Sequence, residues 1–372
     1  MVAVASVVAS VGTAAGVMSA FDDGRATDRA RPAVTRRAVA QPPPVPSSTP
    51  AETPETSPTP SPTRAASTAP RPTPSPSRRP RTEVAPVGLY RHPDSQVLDW
   101  IATHPDDPRW AVIESRIADR PAAVWFADPS PSTITARVRA VTSAAAAEGR
   151  VPVLVPCTVP DRDCGGASRG GAPDLAAYDA WIDAFAAGLG SGEVVVILEP
   201  DSVAQSDCLT EGQQADRFTS LARAGRVLKA ADRRARVYYD GGHSGWNPAT
   251  EQASLLERAG AGSPQGSDGI FTNVSNFQRT GDEIAYARQV LAGLGGRAGL
   301  GAVIDTSRNR NGAPVDGQWC DPAGRRIGQA PTLRTGQARI DAYLWVKLPG
   351  ESDGCKGTPG TFSPSYAYDL AR

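Results

Sequence analysis

The sequence predicts an α/β domain: one parallel barrel of seven strands wrapped by helices, TIM-like, in a single catalytic domain. Three observations predict it. Helix-like and strand-like patterns alternate from residue 108 onward, as right-handed βα crossovers require. The apolar runs VPVLVP (151–156), VVVIL (194–198) and AYLWV (342–346) lack polar alternation, so each reads as a strand buried on both faces. A functional-looking side chain also stands at or just past the end of each strand: Trp125, Asp163, Asp201, Asp240, Asn273, Asp305 and Lys347. A barrel spreads such groups around one rim. An open doubly wound sheet, the rival architecture, gathers them at one switch point. No Gly-x-Gly-x-x-Gly follows a strand, so a dinucleotide site has no support.

The elements follow in order. Residues 108–119 place Val112, Ile113 and Ile117 on one helical face, and AAVWF (122–126) is the first strand. A helix over 133–148 aligns Ile134, Val138, Val141 and Ala145, with Ser132 or Thr133 as its cap and Gly149 as its stop. Strand 151–156 comes next. The helix at 174–189 carries Tyr178, Trp181, Ile182, Phe185 and Leu189 on one stripe, which makes Trp181 core. Strand 193–198 leads to a long helix near 210–233. Strand 236–240, a helix near 250–259, strand 270–274, a helix near 282–294, and strands 302–305 and 341–346 complete the set. Trp100 and Trp110 carry no signal beyond their size.

The other end of the chain is different in kind. Residues 2–20 hold no charge and read as an export signal or membrane anchor, the late part of a longer leader. Residues 21–85 are a linker dominated by Pro, Ser, Thr, Ala and Arg. They offer too little apolar surface to offset chain entropy and should stay extended. Arg78, Arg79 and Arg81 fall there and read as solvating charges. The catalytic domain then spans 86–372. Thirty-nine basic residues balance 39 acidic ones, so nothing argues for a nucleic-acid partner or an anionic surface. The five cysteines fit no zinc spacing and the three histidines, His92, His104 and His243, are scattered, so no metal site is expected. An exported chain makes disulfides plausible.

The carboxylates carry the chemistry. Asp161 and Asp163, Glu199 and Asp201, and Glu351 and Asp353 follow three of the strands. Convergent acids with few histidines point to acid/base work on a neutral polar substrate, and a carboxylate pair cleaving a glycosidic bond is the leading case.

At these residues the chain resembles the glycoside hydrolase family 6 cellulases, the bacterial endoglucanases in particular. Pro160-Asp161-Arg162-Asp163-Cys164 and Glu199-Pro200-Asp201-Ser202 are similar to the family's two signatures. Tyr239-Asp240 with His243 and Trp246, Thr272-Asn273 with Asn276, Ile304-Asp305 with Arg308-Asn309, Trp319-Cys320-Asp321, and Lys347 with Glu351 and Asp353 follow in the family's order. The resemblance covers 88–372. It implies a distorted seven-stranded barrel that cuts internal β-1,4-glucosidic bonds with inversion and without a cofactor. It implies Asp201 as general acid, Asp163 as the neighbour that supports it, and Asp353 as candidate base. Arg162 would keep Asp163 ionised. Trp125, Asp240, His243, Trp246, Asn273, Trp319, Lys347 and Glu351 would bind or position the glucan. It implies the disulfides Cys164–Cys208 and Cys320–Cys355, with Cys157 free.

One residue departs from the family, which has a tyrosine where this chain has Cys157; that ring favours the distorted sugar. Arg169 also stands near a position where the family has a small hydroxyl residue. The short stretch after Gly354 offers no roof for the cleft, which favours endo over exo action, and no carbohydrate-binding module is expected. The protein is expected to be extracellular, secreted or tethered through its N-terminus, and monomeric. Two other readings stay open: a weakly active or inactive tethered glucan-binding protein, and a hydrolase of a different β-glucan.

Overall fold

The computed structural model describes residues 88–166 and 168–372. The expected signal, anchor and linker segments lie outside these residues. Seven strands pair in sequence order: β1 (Val124–Phe126), β2 (Val153–Pro156), β3 (Val194–Leu198), β4 (Ala235–Asp240), β5 (Gly269–Thr272), β6 (Gly301–Asp305) and β7 (Ile340–Leu344). Every pairing is parallel. The sheet curls into a barrel with a seam between β7 and β1. There Ala123 N–H donates to Trp345 O at 2.9 Å, and Trp125 Nε1 donates to Val346 O at 2.8 Å.

Along each strand the side chains alternate between two cores. Val153, Val155, Val195, Ile197, Tyr238, Phe271, Val303 and Leu344 fill one apolar cluster inside the curl. Their neighbours Leu154, Val196, Leu198, Val237, Tyr239, Ile270 and Ile304 pack against the surrounding helices. Both faces are thus apolar, which is why the strands read as unbroken hydrophobic runs. β5 and β6 approach so closely that a Cβ on Gly269, at φ +143°, would lie 1.8 Å from Gly301 O.

The helices are α1 (Gln96–Thr103), α2 (Trp110–Ile113), α3 (Pro131–Ala147), α4 (Leu175–Ala186), α5 (Glu211–Ala231), α6 (Ala249–Arg258), α7 (Thr280–Gly293) and α8 (Pro364–Ala371). Sequence periodicity missed α1 and α8, each eight residues long. The single helix expected at 108–119 is α2 followed by a π turn, Glu114–Ala118. α3 starts earlier than expected: Ser130 precedes it and Pro131 occupies the first turn, where a missing N–H costs nothing. It does end at Gly149, φ +62°, as expected. α5 opens on a capping box between Thr210 and Gln213. Trp181 is fully buried. No helix among the described residues is long and apolar enough to cross a membrane.

Candidate active site

The residues that follow the strands converge on one cleft of about 1230 Å³. Asp163, Asp201 and Asp353 all line it, together with Trp125, His243, Trp246, Trp319, Lys347 and Glu351. The backbone here is strained. Nine non-glycine residues among those described have left-handed φ, and eight lie in the loops beyond the strands' C-terminal ends, Asp161, Asp163, Glu199 and Asp201 among them. Each such conformation costs on the order of 1–3 kcal/mol, so the fold places its strain at the cleft.

Asp201 stands on the wall that follows β3. Burial, then the charges of Asp240 and Asp163, push its carboxyl up to about 8. Asp163 sits opposite on the loop after β2, where its Oδ2 accepts from Ser168 N at 2.7 Å and Ser168 Oγ at 3.1 Å. Arg162 does not pair with Asp163. Its guanidinium instead donates to Ser168 O at 2.6 Å and to Cys157 O, bracing the loop. Glu199 braces it from below, accepting from Thr158 N at 2.8 Å and Val159 N at 2.9 Å. Burial pushes Glu199 up to about 7 against those donors.

The wall that follows β7 is built differently. Asp353 Oδ2 accepts from Arg308 Nη1 at 2.7 Å and Asp321 N at 3.1 Å, and its Oδ1 lies 3.2 Å from Lys347 Nζ. Arg308 is fully buried over the Phe277 ring at 4.4 Å and also donates to Ser275 O. Asp321 orders the loop itself, accepting from Asp353 N at 2.7 Å, Ser352 Oγ at 2.6 Å and Lys356 N at 2.8 Å. Burial pushes Glu351 up to about 7, against the pull of Lys347 and Arg308. Sequence reasoning passed over Arg308 and Asp321. The available signal was a charged residue inside a motif already singled out, with Arg308 three positions past the end of β6.

The aromatic residues divide by exposure. Trp319 is 57% exposed and Trp246 37%, unusual for tryptophan and suited to stacking on a flat ligand face. His243 lies 5.2 Å from Trp246, ring to ring. Burial pulls His243 down to about 4, and its Nδ1 accepts from Gly245 N at 3.2 Å, leaving the other nitrogen free to donate into the cleft. Trp125 is half-buried and anchored by its indole N–H.

Two expected substrate-binding residues do not line the cleft. Asp240 is buried behind the Asp201 loop, and its carboxylate accepts from Val203 N, Ala204 N and Gly242 N at 2.8–3.0 Å. Asn273 is fully buried; it donates to Asp305 O at 2.8 Å and accepts from Gln278 N at 2.9 Å. Both side chains are occupied by backbone, so they shape the rim rather than reach into it.

Disulfides join Cys164 to Cys208 and Cys320 to Cys355, one on each wall. Cys157 is free, 5% exposed at the cleft floor, and burial pushes its thiol well up. Among the described residues no cluster could hold a metal ion.

A family model described as Glycosyl hydrolases family 6 matches residues 87–368. Endoglucanase 1 of Streptomyces sp. strain KSM-9 is 51% identical over 292 residues, 78% of this chain and 79% of that one. Endoglucanase A of Thermobispora bispora is 49% identical over 284 residues, 76% of this chain and 61% of that protein. Among solved structures, the endoglucanase Cel6 of Mycobacterium tuberculosis, in complex with methyl-cellobiosyl-4-deoxy-4-thio-β-D-cellobioside, matches at 38% identity with a TM-score of 0.71. It covers 77% of this chain and 97% of that one.

Proposed function

The chain belongs to glycosyl hydrolases family 6, and we propose that it is an extracellular endo-β-1,4-glucanase that cleaves cellulose or a related β-glucan with inversion. The observation that carries the reading is that Asp201, Asp163 and Asp353 line one cleft. Burial, then the charges of Asp240 and Asp163, push Asp201 up to about 8, in the direction that favours its protonated form. A general acid needs that state to protonate the departing glycosidic oxygen. Asp163 raises the acid through its charge and faces the developing positive charge of the sugar. Asp353 is the base candidate. Its Oδ2 is engaged by Arg308 and Asp321 N, but its Oδ1 meets Lys347 alone, which leaves a lone pair for a water.

Trp246 and Trp319 would stack on glucose faces, with Trp125 beside them. His243, Lys347 and Glu351 would bond hydroxyls. Endo action is supported by the short return after Asp353: Glu351 bridges Phe362 and α8 begins at Pro364, so this loop cannot roof the cleft. The uncharged residues 2–20 and the two disulfides support export, the protein being either released or tethered.

The test is reducing-sugar release over a panel of soluble β-glucans, with proton NMR of the first products. Viscosity falling ahead of sugar release, with the α anomer appearing first, is expected. Initial β anomer would overturn inversion. A second reading rests on Cys157 in place of the family's tyrosine: a weakly active binding protein, or a hydrolase of another β-glucan. Binding without release across the panel would favour the first, and release from mixed-linkage glucan alone the second.

A further inference from the structure

Among the described residues no cation pairs with either acid of the β2–β3 wall, yet a buried arginine lies behind both. Arg217 sits in the second turn of α5, 3% exposed. Its Nη2 donates to Pro160 O at 2.7 Å and Asp161 O at 3.2 Å, and its Nη1 reaches Ser202 O at 3.5 Å. The first two carbonyls belong to the loop that carries Asp163. The third belongs to the residue after Asp201. Asp161, Glu199 and Tyr178 face the guanidinium, but no carboxylate pairs with it among the described residues. A buried cation committed to carbonyls of two separate loops is costly unless their relative position matters.

We propose that Arg217 is a positioning residue that holds the Asp163 loop in register with the Asp201 loop; the inference rests on the acid role proposed above for Asp201. The loops need such a clamp. Asp161, Asp163 and Asp201 all have left-handed φ, so neither loop rests in a relaxed conformation. The Cys164–Cys208 disulfide ties the same two loops beyond Asp163. Asp163 therefore lies between two ties, Arg217 at residues 160–161 and the disulfide at 164. The capping box at Thr210 fixes the start of α5, so the guanidinium projects from a rigid base. Its planar fork turns Nη2 to the Asp163 loop and Nη1 toward the Asp201 loop, which a lysine ammonium on a flexible stem does less well.

Arg217→Met keeps the apolar stem and removes the fork. Asp201 is faced by Asp240 from β4, by Asp163 from the opposite loop and by the Cys157 thiol. If Asp163 drifts away, the acid loses part of what raises it. In Arg217→Met, kcat is expected to fall about 10- to 100-fold with KM little changed, because misplacement by about 1 Å is enough. The basic limb of the kcat–pH profile should move to lower pH, and Arg217→Lys should recover part of both effects.

A second readout needs no turnover. A folded acid with a raised pKa binds more protons than the unfolded chain, so Asp201 makes Tm fall as pH rises. That Asp201-dependent slope, taken as the difference from Asp201→Asn, should be shallower in Arg217→Met. Unchanged kcat per folded molecule, an unmoved basic limb and an unchanged slope would overturn the proposal, even if Tm dropped. If Arg217→Met does not fold, Arg217→Lys is read by the same criteria. A parent enzyme that cuts no β-glucan would refute the proposed function, and the slope would still decide the clamp.

Discussion

The two walls of the cleft use the same residue type in opposite surroundings. The wall after β2 and β3 sets Asp163 and Asp201 near Asp240 at the end of β4, with no cation paired to any of them among the described residues, and burial and mutual repulsion push Asp201 up to about 8. The wall after β6 and β7 places Asp353 against Arg308 and Lys347. The proposed acid and base roles call for two carboxyl groups in different surroundings, and a single fold supplies that contrast by changing neighbours rather than residues.

The largest effect should come from the acid wall. Asp201→Asn keeps the shape and removes the proton donor, and hydrolysis of unactivated β-glucan is expected to fall ~10²–10⁴-fold. Near-parental rate on such a polymer would mean that the walls do not differ in role. Stability should move the other way. Between pH 3.8 and about 8 the folded Asp201 holds a proton that the unfolded chain releases, so parent stability declines as pH rises through that window. Asn carries no such penalty, so the Tm advantage of Asp201→Asn should widen from pH 4 to pH 8. A gap that narrows would contradict the raised acid.

The cation wall should respond in stability first. Arg308→Met leaves Asp353 buried with Lys347 as its remaining cation, and breaking a buried pair from one side typically costs 3–5 kcal/mol. Urea unfolding would measure it. A loss near zero would mean that the pair is solvated and that the contrast between the walls is weaker than the burial implies. Loss of the pair should also lower turnover, because Asp353 would no longer be fixed.

The same contrast explains what the sequence made legible. All seven strands were readable because their central residues are mostly apolar on both faces; the helices between them were readable where they are long. α1 and α8 were not, since eight residues give barely two turns of period. The acids that line the cleft stood out because they stand in the loops that follow apolar strands. Asp240 and Asn273 end strands too, and nothing in a sequence separates a side chain that points into a cleft from one that turns back to bond backbone N–H groups behind it. Arg308 and Asp321 act through other residues, and such partners are defined by distance in space.

The smallest effect is expected at Cys157, on the floor between the walls. Cys157 is 5% exposed and burial pushes its thiol well up, so it should resist alkylation in the folded protein. The family's tyrosine at this place favours a distorted sugar, and strain of that kind is worth ~1–5 kcal/mol. A tyrosine here must fit where a thiol is already packed, and overpacking costs energy of similar size. Cys157→Tyr should therefore realise the low end of that range, a few-fold rise in turnover with little change in affinity away from the cleavage point. Turnover on carboxymethylcellulose, with circular dichroism to establish folding, would measure it. A folded variant with equal or lower turnover would mean that the floor has been reshaped around a different sugar. The contrast between the walls would then serve a β-glucan other than cellulose.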